Sequence, residues 1–209
     1  MIKEMLQSVR NYLSNFGNAD ERIIEAMQKF DRKYFIPKSM KVFAYEDGPL
    51  YIGYGQTISQ PSTVARMISL LELKAGDNVL EIGTGSGWNA SLISYLIGSK
   101  GKVLSLEIDE NLIRNAKKAI ENFKIKNIEI KREDFRKIDE KFDKIIFTAG
   151  ILEDEEKIID GFAYKSLNEK GILICPYRRG QLIMDKKLND KIEKSYTREE
   201  YVFVPLILR

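Results

Sequence analysis

The segment Val79-Leu80-Glu81-Ile82-Gly83-Thr84-Gly85-Ser86-Gly87-Trp88 holds the residues best suited to grip a ligand with main chain. Alternating glycines permit a sharp turn and a close approach of the backbone to a bound molecule. A helix opening near Trp88 aims its first free N–H groups at whatever lies over that turn. The spacing differs from the Gly-x-Gly-x-x-Gly of dinucleotide sites, whose third glycine lets the helix pack beside a pyrophosphate. Glu81 sits on the strand just before the turn, where a carboxylate opposes a pyrophosphate and favours a cationic ligand. Glu107 closes a second apolar stretch, a position from which a carboxylate accepts hydrogen bonds from both hydroxyls of a ribose.

This Glu-x-Gly-x-Gly-x-Gly pattern resembles the first motif of S-adenosylmethionine-dependent methyltransferases. The resemblance implies a donor site built from Glu81, Gly83, Gly85, Gly87 and Ile108, with Glu107 on the ribose. Asp134 is either an acceptor for the exocyclic adenine amine or a surface acid of its loop. Phe135 beside it packs on the adenine face or plugs the core. Methyl transfer from a sulfonium is an in-line displacement, so the protein's main task is to hold donor and nucleophile at near-attack distance. Amine methylases commonly carry Asn/Asp-Pro-Pro-aromatic after the fourth strand. The corresponding residues are Phe147-Thr148-Ala149-Gly150, which points to an oxygen acceptor.

Histidine is absent and Cys175 is the single cysteine. The commonest general base is therefore missing, and a zinc site is not expected. Cys175 lies in an apolar run and reads as a small buried hydrophobe in a reducing, cytoplasmic setting. Basic residues number 34 against 31 acidic, a net charge of +3 that gives no ground for a nucleic-acid partner. No stretch has the length or apolarity of a membrane span or a signal peptide. At 209 residues the expectation is one soluble domain, with N-terminal helices and a substrate loop over residues 1–73 and the core over 74–209.

The elements that must position these groups follow from periodicity. Apolar residues at helical intervals predict a helix over residues 2–16, closed by Gly17. Asn18 or Asp20 caps a second, whose buried stripe is Ile23, Ile24, Met27 and Phe30. Residues 44–62 are rich in turn formers and aromatics, an irregular loop too long for a mere connector. A helix over 63–73 leads to the glycine strand. Strands at 102–107, 128–131, 144–148 and 172–176, with helices at 89–96, 111–123 and 155–166, predict an α/β fold with a doubly wound Rossmann-like sheet. Further strands at 181–186 and 200–208 are expected to be partly antiparallel. Ligands of such sheets lie beyond the carboxyl ends of the strands, where the glycine turn, Glu107, Asp134 and Thr148 converge.

Several motifs in order, Asp31-Arg32-Lys33-Tyr34-Phe35-Ile36-Pro37, the run from Ala44 to Ser59, the glycine segment and Phe203-Val204-Pro205-Leu206-Ile207, resemble the protein-L-isoaspartate O-methyltransferase family over nearly the whole chain. The resemblance implies methylation of the free α-carboxylate of L-isoaspartyl residues in damaged peptides and proteins, a repair reaction. That nucleophile is ionised at neutral pH, so a chain without histidine can serve it. The resemblance also implies that Ser59 is the active-site serine, orienting carboxylate or donor by hydrogen bonding. Tyr54, Gln56 and Thr57 then flank the substrate. Thr57, Ile58, Ser59 and Val64 contribute to the donor side. The chain departs from the family pattern at Gln60-Pro61-Ser62 and at Glu133-Asp134-Phe135. Rival readings are a methyltransferase of the same fold acting on a small molecule or RNA, and a catalytically inactive cofactor-binding adaptor.

Overall fold

The computed structural model describes residues 1–17 and 19–208. Helix α1 (Ile2–Ser14) buries Met5, Leu6, Val9 and Leu13 on one face. Helix α2 (Glu21–Lys29) is capped by Asp20, which accepts from the Arg22 N–H at 3.0 Å, while Asn18 lies outside the described residues. The expected loop at 44–62 contains a hairpin, β1 (Leu50–Gly53) and β2 (Gln56–Ile58), turned by Tyr54 and Gly55 at φ +56° and +73°. Helix α3 (Pro61–Leu70) begins two residues earlier than expected, because proline at the first helical position has no N–H to lose.

The central sheet has seven strands: β3 (Asn78–Ile82), β4 (Lys102–Glu107), β5 (Ile128–Arg132), β6 (Phe142–Phe147), β7 (Leu167–Pro176), β9 (Leu182–Leu188) and β10 (Lys191–Tyr196). Their spatial order is β10-β9-β7-β6-β3-β4-β5, with β3 to β7 parallel and β9 and β10 antiparallel. The chain runs outward from β3 through β4 to β5, then returns to add β6 on the other side of β3. The switch point therefore falls beside β3, where such sheets hold ligands. Helices α4 (Trp88–Ile97), α5 (Glu110–Asn122) and α6 (Glu156–Ser166) complete the layers, giving the expected Rossmann-like methyltransferase architecture with antiparallel strands at the C-terminal end.

Strand alternation distributes two cores. Val79, Val103, Ile146 and Ile172 face the layer that holds α1 to α4, while Leu80, Leu104, Ile145 and Leu173 face Phe135, Ile159 and Phe162. The C-terminal end holds one strand that the sequence pattern does not predict, and one expected strand is corrected there. Lys191–Tyr196 is a strand that its charged, half-exposed alternation concealed, and it forms the sheet edge, where charge is tolerated. The expected strand at 200–208 is only β11 (Tyr201–Val202), paired with β8 (Arg179–Gly180). Beyond it the chain is a strap, fixed where the Gly150 N–H donates to the Val204 carbonyl and the Leu206 N–H to the Gly150 carbonyl, both at 2.8 Å. Pro205 has no N–H to extend a ladder. No described helix is long and apolar enough to cross a membrane.

Candidate active site

A cavity of about 720 Å³ opens at the switch point. One side of it is the glycine turn. The N–H groups of Gly83 and Thr84 both donate to the Leu106 carbonyl, at 2.9 and 3.0 Å, tying the turn to β4. Thr148, at the end of β6, donates through Oγ1 to the Gly83 carbonyl at 2.6 Å, tying it to the opposite neighbour. Gly83 and Gly85 have φ of +100° and +52°, a region that side chains with Cβ rarely enter.

Glu107 stands on the next strand end. Its Oε2 accepts from the Gly85 N–H at 3.0 Å, and its Oε1 from the N–H groups of Ile108 and Asp109 at 2.7 and 3.2 Å. One carboxylate thus aligns the turn and the start of α5 while lining the cavity. A carboxylate has about four acceptor positions, so Glu107 retains capacity for a further donor from a ligand. The wall continues through Ile108, Asp109, Glu110, Arg132, Glu133, Asp134, Phe135 and Lys137, five carboxylates against two cations when Glu107 is included. That field suits a cation and disfavours a pyrophosphate. These features fit S-adenosylmethionine: a main-chain cradle without Cβ atoms, a carboxylate with spare acceptor capacity, and an acidic wall.

Two of the expected donor residues lie elsewhere. Glu81 shares its face of β3 with Val79, beneath the turn, and is fully buried. Its carboxylate accepts from Asn89 Nδ2 at 2.8 Å and from the Ser105 hydroxyl, and it is not among the lining residues. Ser105 in turn shares a 2.5 Å hydrogen bond with Thr84. Glu81 is therefore a brace under the cradle. Gly87 also lies off the cavity: a Cβ there would meet Ala116 Cβ at 3.2 Å and Ile120 Cδ1 at 3.1 Å, so its smallness admits α5.

Burial pushes the Glu81 carboxyl up to about 7, opposed by the hydrogen bonds from Ser105 and Asn89 and reinforced by the charge of Glu107. With the folded value above the unfolded one, the protonated form is favoured in the native state. That contribution is fully present below about pH 4.5 and is lost as pH rises through about 7. Glu81→Gln removes the titration and keeps an acceptor for Asn89 and a donor for Ser105. We expect the variant to melt several degrees above the native protein at pH 8, to show little difference at pH 5, and to bind S-adenosylhomocysteine within about 3-fold of the native protein. Calorimetry at the two pH values, with a ligand titration, checks both parts.

Asp134 and Phe135 line the cavity, each with a second engagement. Asp134 accepts the Arg136 N–H at 2.9 Å and its Nε at 3.0 Å, and this guanidinium holds the carboxyl below its usual range. Phe135 is a core residue with one edge on the cavity, its ring centroid 5.1 Å from Phe147 and 4.9 Å from Phe162.

The hairpin supplies another part of the lining. Tyr54, Gln56, Thr57, Ile58 and Ser59 bring the hairpin to the cavity, and Val64 joins them from α3. The Ser59 side chain makes no hydrogen bond among the described residues. The strap, residues 203–207, lines the same cavity, although its sequence pattern predicts a strand without a site role. Its proline at 205 was the available signal. Thr148 and Ala149 also line the cavity between the two sides. The glycine turn and the hairpin thus open into one space.

Known proteins agree with this geometry. A 39% identical relative from Thermosipho melanesiensis, named protein-L-isoaspartate O-methyltransferase, matches over 94% of this chain and 98% of its own. A solved structure of that name has a TM-score of 0.84 at 27% identity, covering 99% of this chain and 66% of the longer one. A Plasmodium falciparum structure, described as a candidate member in complex with S-adenosyl-L-homocysteine, has a TM-score of 0.78 at 25% identity and covers 96% and 97% of the two chains. The model of the protein-L-isoaspartate(D-aspartate) O-methyltransferase family matches residues 3–209. Agreement over the whole length, across the hairpin, cradle and strap alike, means that this chain belongs to that family of S-adenosylmethionine-dependent methyltransferases.

Proposed function

We propose that the hairpin ending at Ser59 and the strap at 203–207 hold an isoaspartyl α-carboxylate against a donor seated over Gly83 to Ser86. The activity is that of a protein-L-isoaspartate O-methyltransferase acting on damaged proteins. The observation that carries the site assignment is the single cavity lined by both the glycine turn and Ser59.

When bound, S-adenosylmethionine supplies a methyl carbon made electrophilic by a positive sulfur. Glu107 holds the ribose hydroxyls, Asp134 and Ile108 border the adenine end, and the acidic wall favours the cationic donor. Ser59 donates its hydroxyl to one carboxylate oxygen of the acceptor and so aims the other. No residue has to remove a proton, since the acceptor carboxylate is ionised at neutral pH. Catalysis on this reading is mostly orientation of donor and acceptor in one cavity.

Ser59→Ala tests the acceptor half. A hydrogen bond to a charged group contributes about 1.5–3 kcal/mol, so kcat should fall roughly 10- to 100-fold. Affinity for S-adenosylhomocysteine should stay within about 3-fold. Steady-state kinetics with an isoaspartyl peptide read the first, and calorimetric titration the second. A loss confined to ligand affinity would move Ser59 to the donor pocket.

A further inference from the structure

Arg32 is fully buried, and among the described residues no carboxylate touches its guanidinium. Its partners are five main-chain carbonyls of the loop that forms the acceptor side. Nη1 donates to Ala44 at 3.2 Å and Glu46 at 3.1 Å, and Nη2 to Gly48 at 2.7 Å, Ile58 at 3.4 Å and Ser59 at 3.0 Å. One side chain therefore clamps both ends of the hairpin and grips the backbone of Ser59 itself. The four N–H groups of Nη1 and Nη2 supply these bonds, while the buried Nε has no hydrogen-bond partner among the described residues; no other side chain carries as many donors in fixed directions.

The clamp is coupled to its surroundings on two sides. Asp47, within the same loop, accepts from Gln60 Nε2 at 3.2 Å and from the Ser62 N–H at 2.9 Å, so the residues just after Ser59 are held as well as Ser59. The Arg32 guanidinium carbon lies 5.7 Å from the Trp88 ring, and Trp88 is the first residue of the helix that follows the glycine turn. Trp88 Nε1 donates to the Phe30 carbonyl at 2.7 Å, which fixes the ring beside the segment carrying Arg32. The acceptor serine and the donor cradle are thus registered against one buried cation. We infer that Arg32 is a positioning residue for methyl transfer: it sets the placement of Ser59 relative to the donor turn, through the loop backbone, without touching either substrate.

Burial pulls the Arg32 guanidinium down to about 10, opposed by the charge of Asp47, so it remains a cation through the neutral range. Lysine keeps that cation but offers three donors from a single point, too few and wrongly directed for five carbonyls. The consequence falls on loop geometry, not on the donor cradle, whose own hydrogen bonds run to β4 and β6. An error of about 1 Å in placing a reacting group costs on the order of 100-fold in rate.

The inference rests on the functional reading above, and the test separates the two. Trp88 is the only tryptophan, so its fluorescence reports S-adenosylhomocysteine binding beside the clamp. For Arg32→Lys we expect kcat toward an isoaspartyl peptide to fall about 30- to 100-fold, peptide KM to rise, and ligand affinity to stay within about 3-fold. Hydrogen exchange should quicken over residues 44–59 and stay unchanged over 83–88. Asp47→Asn, which disturbs the same loop more gently, should give the same split with about a 5-fold loss in kcat, and it carries the test should Arg32→Lys not fold. A folded variant with native kcat, or one losing ligand affinity in step with kcat, overturns the inference. A native protein silent toward the peptide, with loop exchange still dependent on Arg32, overturns the functional reading and leaves the clamp standing.

Discussion

Glu107→Ala is expected to weaken S-adenosylhomocysteine binding by about 100- to 1,000-fold, with kcat at saturating donor within about 5-fold of the native enzyme. The size follows from the number of bonds at stake. The carboxylate organises three N–H groups, those of Gly85, Ile108 and Asp109, and is proposed to receive the donor's ribose hydroxyls as well. Hydrogen bonds to a charged acceptor contribute about 1.5–3 kcal/mol each, and two lost together account for the upper end of the range. Glu107→Gln keeps one acceptor oxygen and replaces the other with a donor, so it should fall between. Isothermal titration of the folded variants measures this directly. Near-native affinity in the alanine variant would remove Glu107 from the donor site.

Gly83→Ala should be comparably damaging for a different reason. A Cβ at this position would stand 2.3 Å from Thr148 Oγ1, and the backbone φ of +100° is strained for any residue with a side chain. The turn must shift, breaking the 2.6 Å bond from Thr148 to the Gly83 carbonyl and moving the cradle off its ligand. Donor affinity should drop by more than about 100-fold and stability by roughly 2–4 kcal/mol. Adding Thr148→Ala removes the clashing oxygen, since the remaining Thr148 Cβ would be an ordinary 3.6 Å away. The double variant should regain several-fold in affinity over Gly83→Ala while remaining below native, because the φ strain persists. Equal affinities for single and double variants would show that contact with Thr148 is not the cause.

Gly83 and Gly85 are legible from sequence because positive φ is a demand that a residue meets locally. Helices α1 and α2 and strands β3, β4, β6 and β7 are legible for a similar reason: each carries its own periodicity and buries the face that periodicity marks. Glu81 misleads where chemical type is weighed above alternation. It has the parity of Val79, and parity sends it beneath the turn toward Asn89 and Ser105. Gly87 meets the same local demand at φ +80°, and its second reason, the close approach of Ala116 and Ile120 of α5, is one that no reading of residues 79–88 contains. The strap at 203–207 is held by Gly150, distant in sequence, so its apolar run resembles a strand until Pro205 is taken into account. Arg32 was the least visible of all. Its partners are backbone carbonyls, which every residue has, and no pairing of side-chain types discloses them.

On the proposed reading, the glycine cradle tied to β4 and β6, the Glu107 carboxylate and the Ser59 loop form a site that orients two charged partners and leaves proton transfer aside. The central claim is the identity of the acceptor. Methyl transfer from labelled S-adenosylmethionine to a peptide containing one L-isoaspartyl residue should proceed with multiple turnovers, and the same peptide with a normal aspartyl residue should remain at background. Equal methylation of both peptides, or of neither, would contradict the account.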